Sequence, residues 1–337
     1  MLSNPSQLLL RHADLYEEGR WLIANPEDAA IFSEVKADGF HLDYRLYQQA
    51  KGPGQHHFGV SLEVAPDKLY DGAVLYMPKA KALAQMLLAN LSRCIKPGGT
   101  LVLIGDNKGG VKSAPKLLAP YSDICNKLDS ARRCSLYAAP LQTPAQDFTP
   151  EQWLKTLDVS VAGQKFQVAY LPGVFSAGEL DPGTKLLLEN ADVPARGKVL
   201  DFACGCGVVA CYLGKTNPRL ELTLSDVSAL ALYSSEHSLA LNGLEGEVLA
   251  SDGLSSISGQ FDAVLTNPPF HTGLKTDYDI TEQFLARIPT LMTPRAKLQL
   301  VANSFLKYAP TMQAHLSRLS IVAETSKFRV YVAEKRA

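Results

Sequence analysis

The chain has little that would tie it to a metal, a membrane or a bulk polyanion. Cysteine is scarce, six in 337 residues. The three that crowd together, Cys204, Cys206 and Cys211, lack the second Cys or His pair that a zinc site requires. No metal is expected, and small apolar thiols in a reducing compartment account for them. No apolar run approaches the roughly 20 residues that span a bilayer. The opening "MLSNPSQLLLRHADLYEEG" lacks the charged, apolar and small-residue order of a secretion signal. A cytoplasmic protein with no membrane partner is expected. A net charge of −1 excludes coating of nucleic acid through bulk charge alone.

Charge is nevertheless uneven. Between Lys79 and Arg133 there are ten Lys or Arg against three Asp. That segment, which includes Lys112, Arg132 and Arg133, can meet a phosphate backbone, although a solvated face has the same composition.

At about 150 residues per domain the length suits two domains. The second half alternates short apolar strands with helical periods: "KVLDFAC", "LELTLSDV", "GEVLASD", "FDAVLTN" and "AKLQLVAN", with helices between them, the last two near 279–291 and 305–318. This pattern predicts a parallel, doubly wound sheet. Two closing strands, "SIVAETS" and "FRVYVAEK", lie too close for a crossover and predict an antiparallel hairpin. The first half repeats the order. "LYDGAVLYMPK" matches "QFDAVLTNPPF", "LSRCIKPGGTLVLIGDN" matches "LARIPTLMTPRAKLQLVAN", and "KLDSARRCSLYAA" matches "VAETSKFRVYVAE", an internal duplication. The copies differ where chemistry would reside. Met77, Pro78 and Lys79 stand where the second copy has Asn267, Pro268 and Pro269, and no glycine loop precedes Leu69.

"VLDFACGCGVVA" runs from a strand into a helix through Gly205 and Gly207, where a cofactor can approach the backbone and free N–H groups. The loop also fits the dinucleotide fingerprint, with Asp226 about 20 residues on to grip ribose hydroxyls. A nicotinamide dehydrogenase is therefore a rival. Against it, Asp201 precedes the glycines in a D-x-x-x-G-x-G arrangement suited to a cofactor with a cationic amino-acid end. Asp252 and Gly253 end the third strand, placed for an adenine amine. The fourth strand delivers "NPPF". Each of these falls at a C-terminal strand end, where such sheets build their crevice.

With these motifs the chain resembles the S-adenosylmethionine-dependent methyltransferases, and within them the small-subunit ribosomal RNA guanine-N2 methyltransferases that modify guanine 1207 of 16S RNA. "LLLRHADLYEEGRWLIA", "NKLDSARRCSLY", "LPGVFSAGELDPGTKLLL", "NPPFHTG" and "VANSFLKY" carry the resemblance over essentially the whole chain. It implies two tandem Rossmann-like methyltransferase domains, the C-terminal one a seven-stranded doubly wound α/β sheet ending in an antiparallel hairpin. Residues 1–145 are then a degenerate domain that supports folding and RNA binding, 146–170 a linker, and 171–337 the catalytic domain. The partner implied is 16S ribosomal RNA, in the 30S subunit or an assembly intermediate, and a monomer is expected. The resemblance also sets Phe175 and Thr184 beside the cofactor.

A guanine amine is a poor nucleophile because its lone pair is delocalised into the ring. Two acceptors, the Asn267 side-chain carbonyl and the Pro268 backbone carbonyl, can each take one N–H and aim the lone pair at a sulfonium methyl. The prolines lack N–H groups and hold the backbone extended. Phe270 offers a stacking face for a flipped base. Pro269 and His271 border the substrate, and Asn267 also borders the cofactor. Two further readings fit the same residues: a protein glutamine methyltransferase, whose amide poses the same lone-pair problem, and a non-catalytic RNA-binding assembly factor.

Overall fold

The computed structural model describes residues 1–176, 178–268 and 275–336. The chain forms two compact units, Met1–Leu154 with Leu171–Gly173 and Lys155–Tyr170 with Val174–Ala337.

In the first unit α1 (Asn4–Leu9) precedes β1 (Trp21–Ala24), α2 (Ile31–Glu34), β2 (Asp38–His41), α3 (Tyr44–Gln49) and β3 (His56–Phe58). Then come β4 (Tyr70–Tyr76), α4 (Lys81–Ser92), β5 (Ile95–Asp106), α5 (Ala114–Leu118), β6 (Asn126–Ala131) and β7 (Cys134–Pro140). A hairpin follows, β8 (Lys155–Val161) and β9 (Gln164–Tyr170). The second unit continues with α6 (Pro182–Glu189), β10 (Gly197–Phe202), α7 (Val208–Thr216), β11 (Leu220–Asp226), α8 (Ala229–Leu241) and β12 (Gly246–Ala250). It ends with β13 (Phe261–Thr266), α9 (Lys275–Arg287), β14 (Met292–Asn303), α10 (Ala309–His315), β15 (Ser317–Glu324) and β16 (Phe328–Glu334).

The two sheets share one topology. Their orders are β3-β2-β1-β4-β5-β7-β6 and β12-β11-β10-β13-β14-β16-β15. Within each, the first five strands are parallel and the last pair an antiparallel hairpin. The duplication seen in the sequence is thus a duplication of strand order, position for position. Central strands are apolar on both faces because helices cover both: Val264 and Leu265 of β13, adjacent in sequence and facing opposite ways, are both buried. In the first unit Leu83, Met86, Leu87 and Leu91 of α4 are buried, each side chain contributing about 1.5–3 kcal/mol of transfer free energy.

Four boundaries differ from expectation, the first at α9, expected near 279–291 but running Lys275–Arg287, with a separate 3₁₀ turn at Ile288–Leu291 before β14. Residues 155–170, expected within a linker, are a hairpin of the second unit. The alternation in "KTLDVSV" and "KFQVAY" puts Val159, Val161, Phe166 and Val168 into the core around Leu187, Val209 and Cys211. Ala162 and Gly163 make its turn, both at positive φ (46° and 80°), the conformation of a two-residue hairpin connection. The hairpin is fixed where Ser238 Oγ accepts from Ala169 N–H at 2.8 Å and donates to its carbonyl at 3.1 Å. The helix expected near 305–318 is only Ala309–His315, because residues 303–306 close a turn and Pro310 sets the first helical turn. β15 starts at Ser317, three residues before "SIVAETS".

Candidate functional site

Across the C-terminal edge of the second sheet the chemistry-bearing residues lie in strand order. Asp252 follows β12, Asp226 ends β11, Gly205 follows β10 and Asn267 follows β13. Hydrogen bonds tie each strand end to the next. Ser251 N–H donates to the Asp226 carbonyl at 3.0 Å, and Cys204 N–H to the Ser225 carbonyl at 3.0 Å. Thr266 Oγ1 donates to the Phe202 carbonyl at 2.7 Å. The sequence places these residues at four separate strand ends, and the parallel register makes them neighbours.

The two glycines have different reasons to be glycine. Gly205 has φ +55°, and a Cβ built on it would meet nothing within 4 Å, so its backbone lines open space that a ligand can enter. Gly207, at φ +84°, caps the N-terminus of α7 without a side-chain hydrogen bond. Its added Cβ would fall 3.2 Å from Ser235 Oγ and 3.4 Å from Leu224 Cδ2, so here glycine also allows loop and helix to pack closely. Ser235, which the sequence did not single out, donates from Oγ to the Gly205 carbonyl at 2.8 Å. The signal available for it was its place among the small serines of "YSSEHS" on the buried face of α8.

Asp226 shapes the loop from the other side. Its Oδ2 accepts from Gly205 N–H and its Oδ1 from Ser228 N–H, both at 3.0 Å. Asp252 and Gly253 are exposed at the rim, Gly253 at φ +53° with open space beside it. Asp201 is placed behind the loop. It is 2% exposed, and its Oδ2 accepts from Ala210 N–H in the first turn of α7 at 3.0 Å. Burial, with a smaller push from Asp226, holds its carboxyl well above the usual carboxylate range. The cysteines of this region are protonated for the same reason: burial pushes the Cys206 thiol up to about 11 and that of Cys211 to about 12. Among the described residues no group of three His, Cys, Asp or Glu could hold a metal ion.

Asn267 is half-buried and Pro268 buried. Asn267 Nδ2 donates to Asp181 Oδ2 at 2.9 Å and to Thr184 Oγ1 at 3.0 Å. Asp181 is the N-cap of α6, the same Oδ2 accepting from Thr184 N–H at 2.8 Å. Thr184, expected beside a cofactor, meets Asn267. Phe175, expected there too, is 57% exposed in the segment between β9 and α6. Pro269, Phe270 and His271 lie outside the described residues.

The corresponding edge of the first unit carries different residues. Where Asn267 follows β13, Met77 follows β4, and the Tyr76 ring before it is fully buried. Ser6 of α1 bonds Tyr76 Oη at 2.8 Å and donates to Asp28 at 2.6 Å. Asn25, directly after β1, donates to the Tyr76 carbonyl at 3.1 Å. His41 ends β2 as Asp226 ends β11, each two residues before a helix cap. The scaffold remains and its crevice residues do not. At the same edge, Lys79 follows β4, Lys108 and Lys112 follow β5, and Arg132 and Arg133 form the β6–β7 turn, where the Arg133 carbonyl accepts from Asn107 N–H at 2.8 Å. All five residues are exposed, so the three expected RNA-binding cations, Lys112, Arg132 and Arg133, share one edge with two further ones.

Fold and crevice together define the small-domain methyltransferase class: the methyltransferase small domain matches residues 165–332, and its N-terminal domain residues 6–157. Similar proteins include ribosomal RNA small subunit methyltransferase C of Pseudoalteromonas atlantica, 48% identical over 99% of this chain and 100% of that one. The protein of that name from Aeromonas hydrophila is 43% identical over 99% and 98%. The chain belongs to the ribosomal RNA small subunit methyltransferase C family. The fold is shared with the T. thermophilus 16S rRNA N2 G1207 methyltransferase, solved with AdoMet and guanosine, at TM-score 0.83 and 22% identity, covering 99% of this chain and 92% of that one. Among the described residues no helix is long and apolar enough to cross a membrane.

Proposed function

We propose that this protein transfers a methyl group from S-adenosylmethionine to the exocyclic N2 amine of a guanine in 16S ribosomal RNA, and that the guanine is the one numbered 1207 in the name of the T. thermophilus neighbour. The observation that carries this reading is the Asn267 carboxamide. It lies beside the glycine loop with Nδ2 bonded to Asp181 and Thr184, an arrangement that leaves its Oδ1 to accept an N–H from substrate.

The crevice fits the cofactor. The Gly205 backbone borders open space, the N-terminus of α7 has no side-chain cap, and Asp226 stands between them and the Asp252 rim. When bound, S-adenosylmethionine supplies a sulfonium methyl, whose C–S bonding pair returns to sulfur as the amine attacks. Asp226 would hold the ribose hydroxyls, Asp252 and Gly253 the adenine end, and Gly205 and Gly207 the close approach. Asp201 acts from behind, by holding α7 at the loop. Asn267 Oδ1 and the Pro268 carbonyl each accept one N–H of the amine, turning its lone pair out of conjugation. The same two dipoles stabilise the positive charge that develops on nitrogen before a proton leaves to water. Phe270 stacks the flipped base, with Pro269 and His271 at its border.

The first unit supplies RNA affinity through Lys112, Arg132 and Arg133, and the 30S subunit or an assembly intermediate is the substrate. Asn267→Ala tests the reading. Methyl transfer to RNA falls about 100–1,000-fold, to a residual rate that labelled cofactor still reads, while cofactor affinity stays within about twofold, because the lost group acts on the amine. Full activity in that variant contradicts it.

A further inference from the structure

A carboxamide has two faces of nearly equal shape, and only one serves as an acceptor. A half-turn about the Asn267 terminal torsion would present Nδ2 to the substrate amine, donor against donor. Something must choose between them. In this structure Nδ2 lies 2.9 Å from Asp181 Oδ2 and 3.0 Å from Thr184 Oγ1. An ionised carboxylate has acceptors only. The flipped amide would therefore set Oδ1 against a carboxylate oxygen, losing a charge-assisted bond and adding repulsion.

We propose that Asp181 and Thr184 are positioning residues for methyl transfer: they lock the Asn267 amide with Oδ1 toward the amine of the substrate. The inference rests on the function proposed above and names what enforces it. Three observations carry it. Asp181 and Thr184 are held by their own bond, the same Oδ2 accepting Thr184 N–H at 2.8 Å, so the two acceptors form one rigid unit at the start of α6. Thr184 is buried and Asp181 half-buried, so water competes weakly for Nδ2. In the first unit, where Met77 replaces the Asn, the helix that precedes the sheet carries Ser3 as cap and Ser6 three residues later. The Ser6 hydroxyl serves Asp28 and Tyr76 instead, and that of Ser3 donates to Ser6 Oγ. The carboxylate has a second effect. Its charge polarises the amide along Nδ2–C–Oδ1 and makes Oδ1 a stronger acceptor, which matters most when the amine nitrogen turns positive.

The test is a mutant cycle on the full-length protein, reading kcat, KM for RNA and cofactor affinity separately. Asp181→Ala, and Thr184→Val combined with it, are expected to lower kcat about tenfold or more, with KM and cofactor affinity within about twofold. In an Asn267→Ala background the same changes are expected to cost nothing further, since the group they orient is gone. Asp181→Asn, which keeps a cap and an acceptor oxygen, is expected to restore most of the rate. If the Ala variant fails to fold, Asp181→Ser keeps the helix cap with too short a reach to hold Asn267, and replaces it in the cycle. An unchanged kcat in the Asp181/Thr184 double variant, or an equal loss with and without Asn267, overturns the proposal and leaves the function standing. Full activity of Asn267→Ala alone overturns the function itself.

Discussion

The Gly205 amide donates to the Asp226 carboxylate at 3.0 Å across two adjacent parallel strand ends. The residue read as a ribose ligand is therefore also a brace for the loop that faces the ligand. Asp226→Ala removes both roles. Cofactor affinity is expected to fall about 100-fold or more, while Asp226→Asn, which still offers one oxygen, falls less. Isothermal titration with S-adenosylmethionine separates them, and equal losses would show that the brace contributes nothing.

The two loop glycines should separate in the same assay. Gly205→Ala places a methyl in open space and costs the fold about 1–2 kcal/mol for its left-handed backbone, but obstructs the crevice. Gly207→Ala meets Ser235 and Leu224 and should destabilise more for a comparable backbone angle. Urea unfolding beside cofactor titration is expected to show affinity loss dominating in the first variant and stability loss in the second. The reverse order would remove Gly205 from the crevice wall.

The basic edge of the first unit predicts a salt signature. Lys112→Glu, Arg132→Glu and Arg133→Glu together should weaken RNA binding and flatten its dependence on salt, by about 0.7–0.9 in log–log slope for each phosphate no longer neutralised. Cofactor affinity should not move. Unchanged binding would remove this edge from the RNA surface.

Much of this was legible in the sequence. Apolar runs such as "FDAVLT" specify parallel strands buried on both faces, and the repeated order of three segments specified two sheets of one topology. The crevice was legible because strand ends are local features and the doubly wound fold makes them neighbours. The 155–170 hairpin was missed because its turn is Ala-Gly, without the Asn or Asp that marks such turns, beside a Pro-containing stretch. Asp181 was legible as a helix cap, three residues before Thr184. Its second bond, to Asn267, spans 86 residues, and nothing local announces it. Ser235 was hidden in the same way, since a serine on a helix gives no sign of the backbone carbonyl it will meet.

His41 gives a pH prediction for the first unit. Burial first, then His56 and His57, hold its pKa down to about 4 from 6.5. Between those values the unfolded chain binds more protons than the folded one, so stability is complete above the unfolded pKa and is lost as pH falls through the window. The loss is at most about 3.5 kcal/mol. His41→Gln should flatten the slope, as read by urea midpoints from about pH 6.5 to about pH 4. A slope unchanged by the substitution would assign the acid sensitivity to other groups.

The most direct test of the central claim is the identity of the methylated product. Small ribosomal subunits from cells lacking the protein are treated with the purified enzyme and labelled S-adenosylmethionine, their protein and RNA are separated, and the RNA is digested to nucleosides and mapped along the 16S chain. Label is predicted in N2-methylguanosine at the single position 1207 named for the structural neighbour, and at least about 100-fold less of it with Asn267→Ala. Label in protein glutamine, or in any other nucleoside, would contradict the assignment.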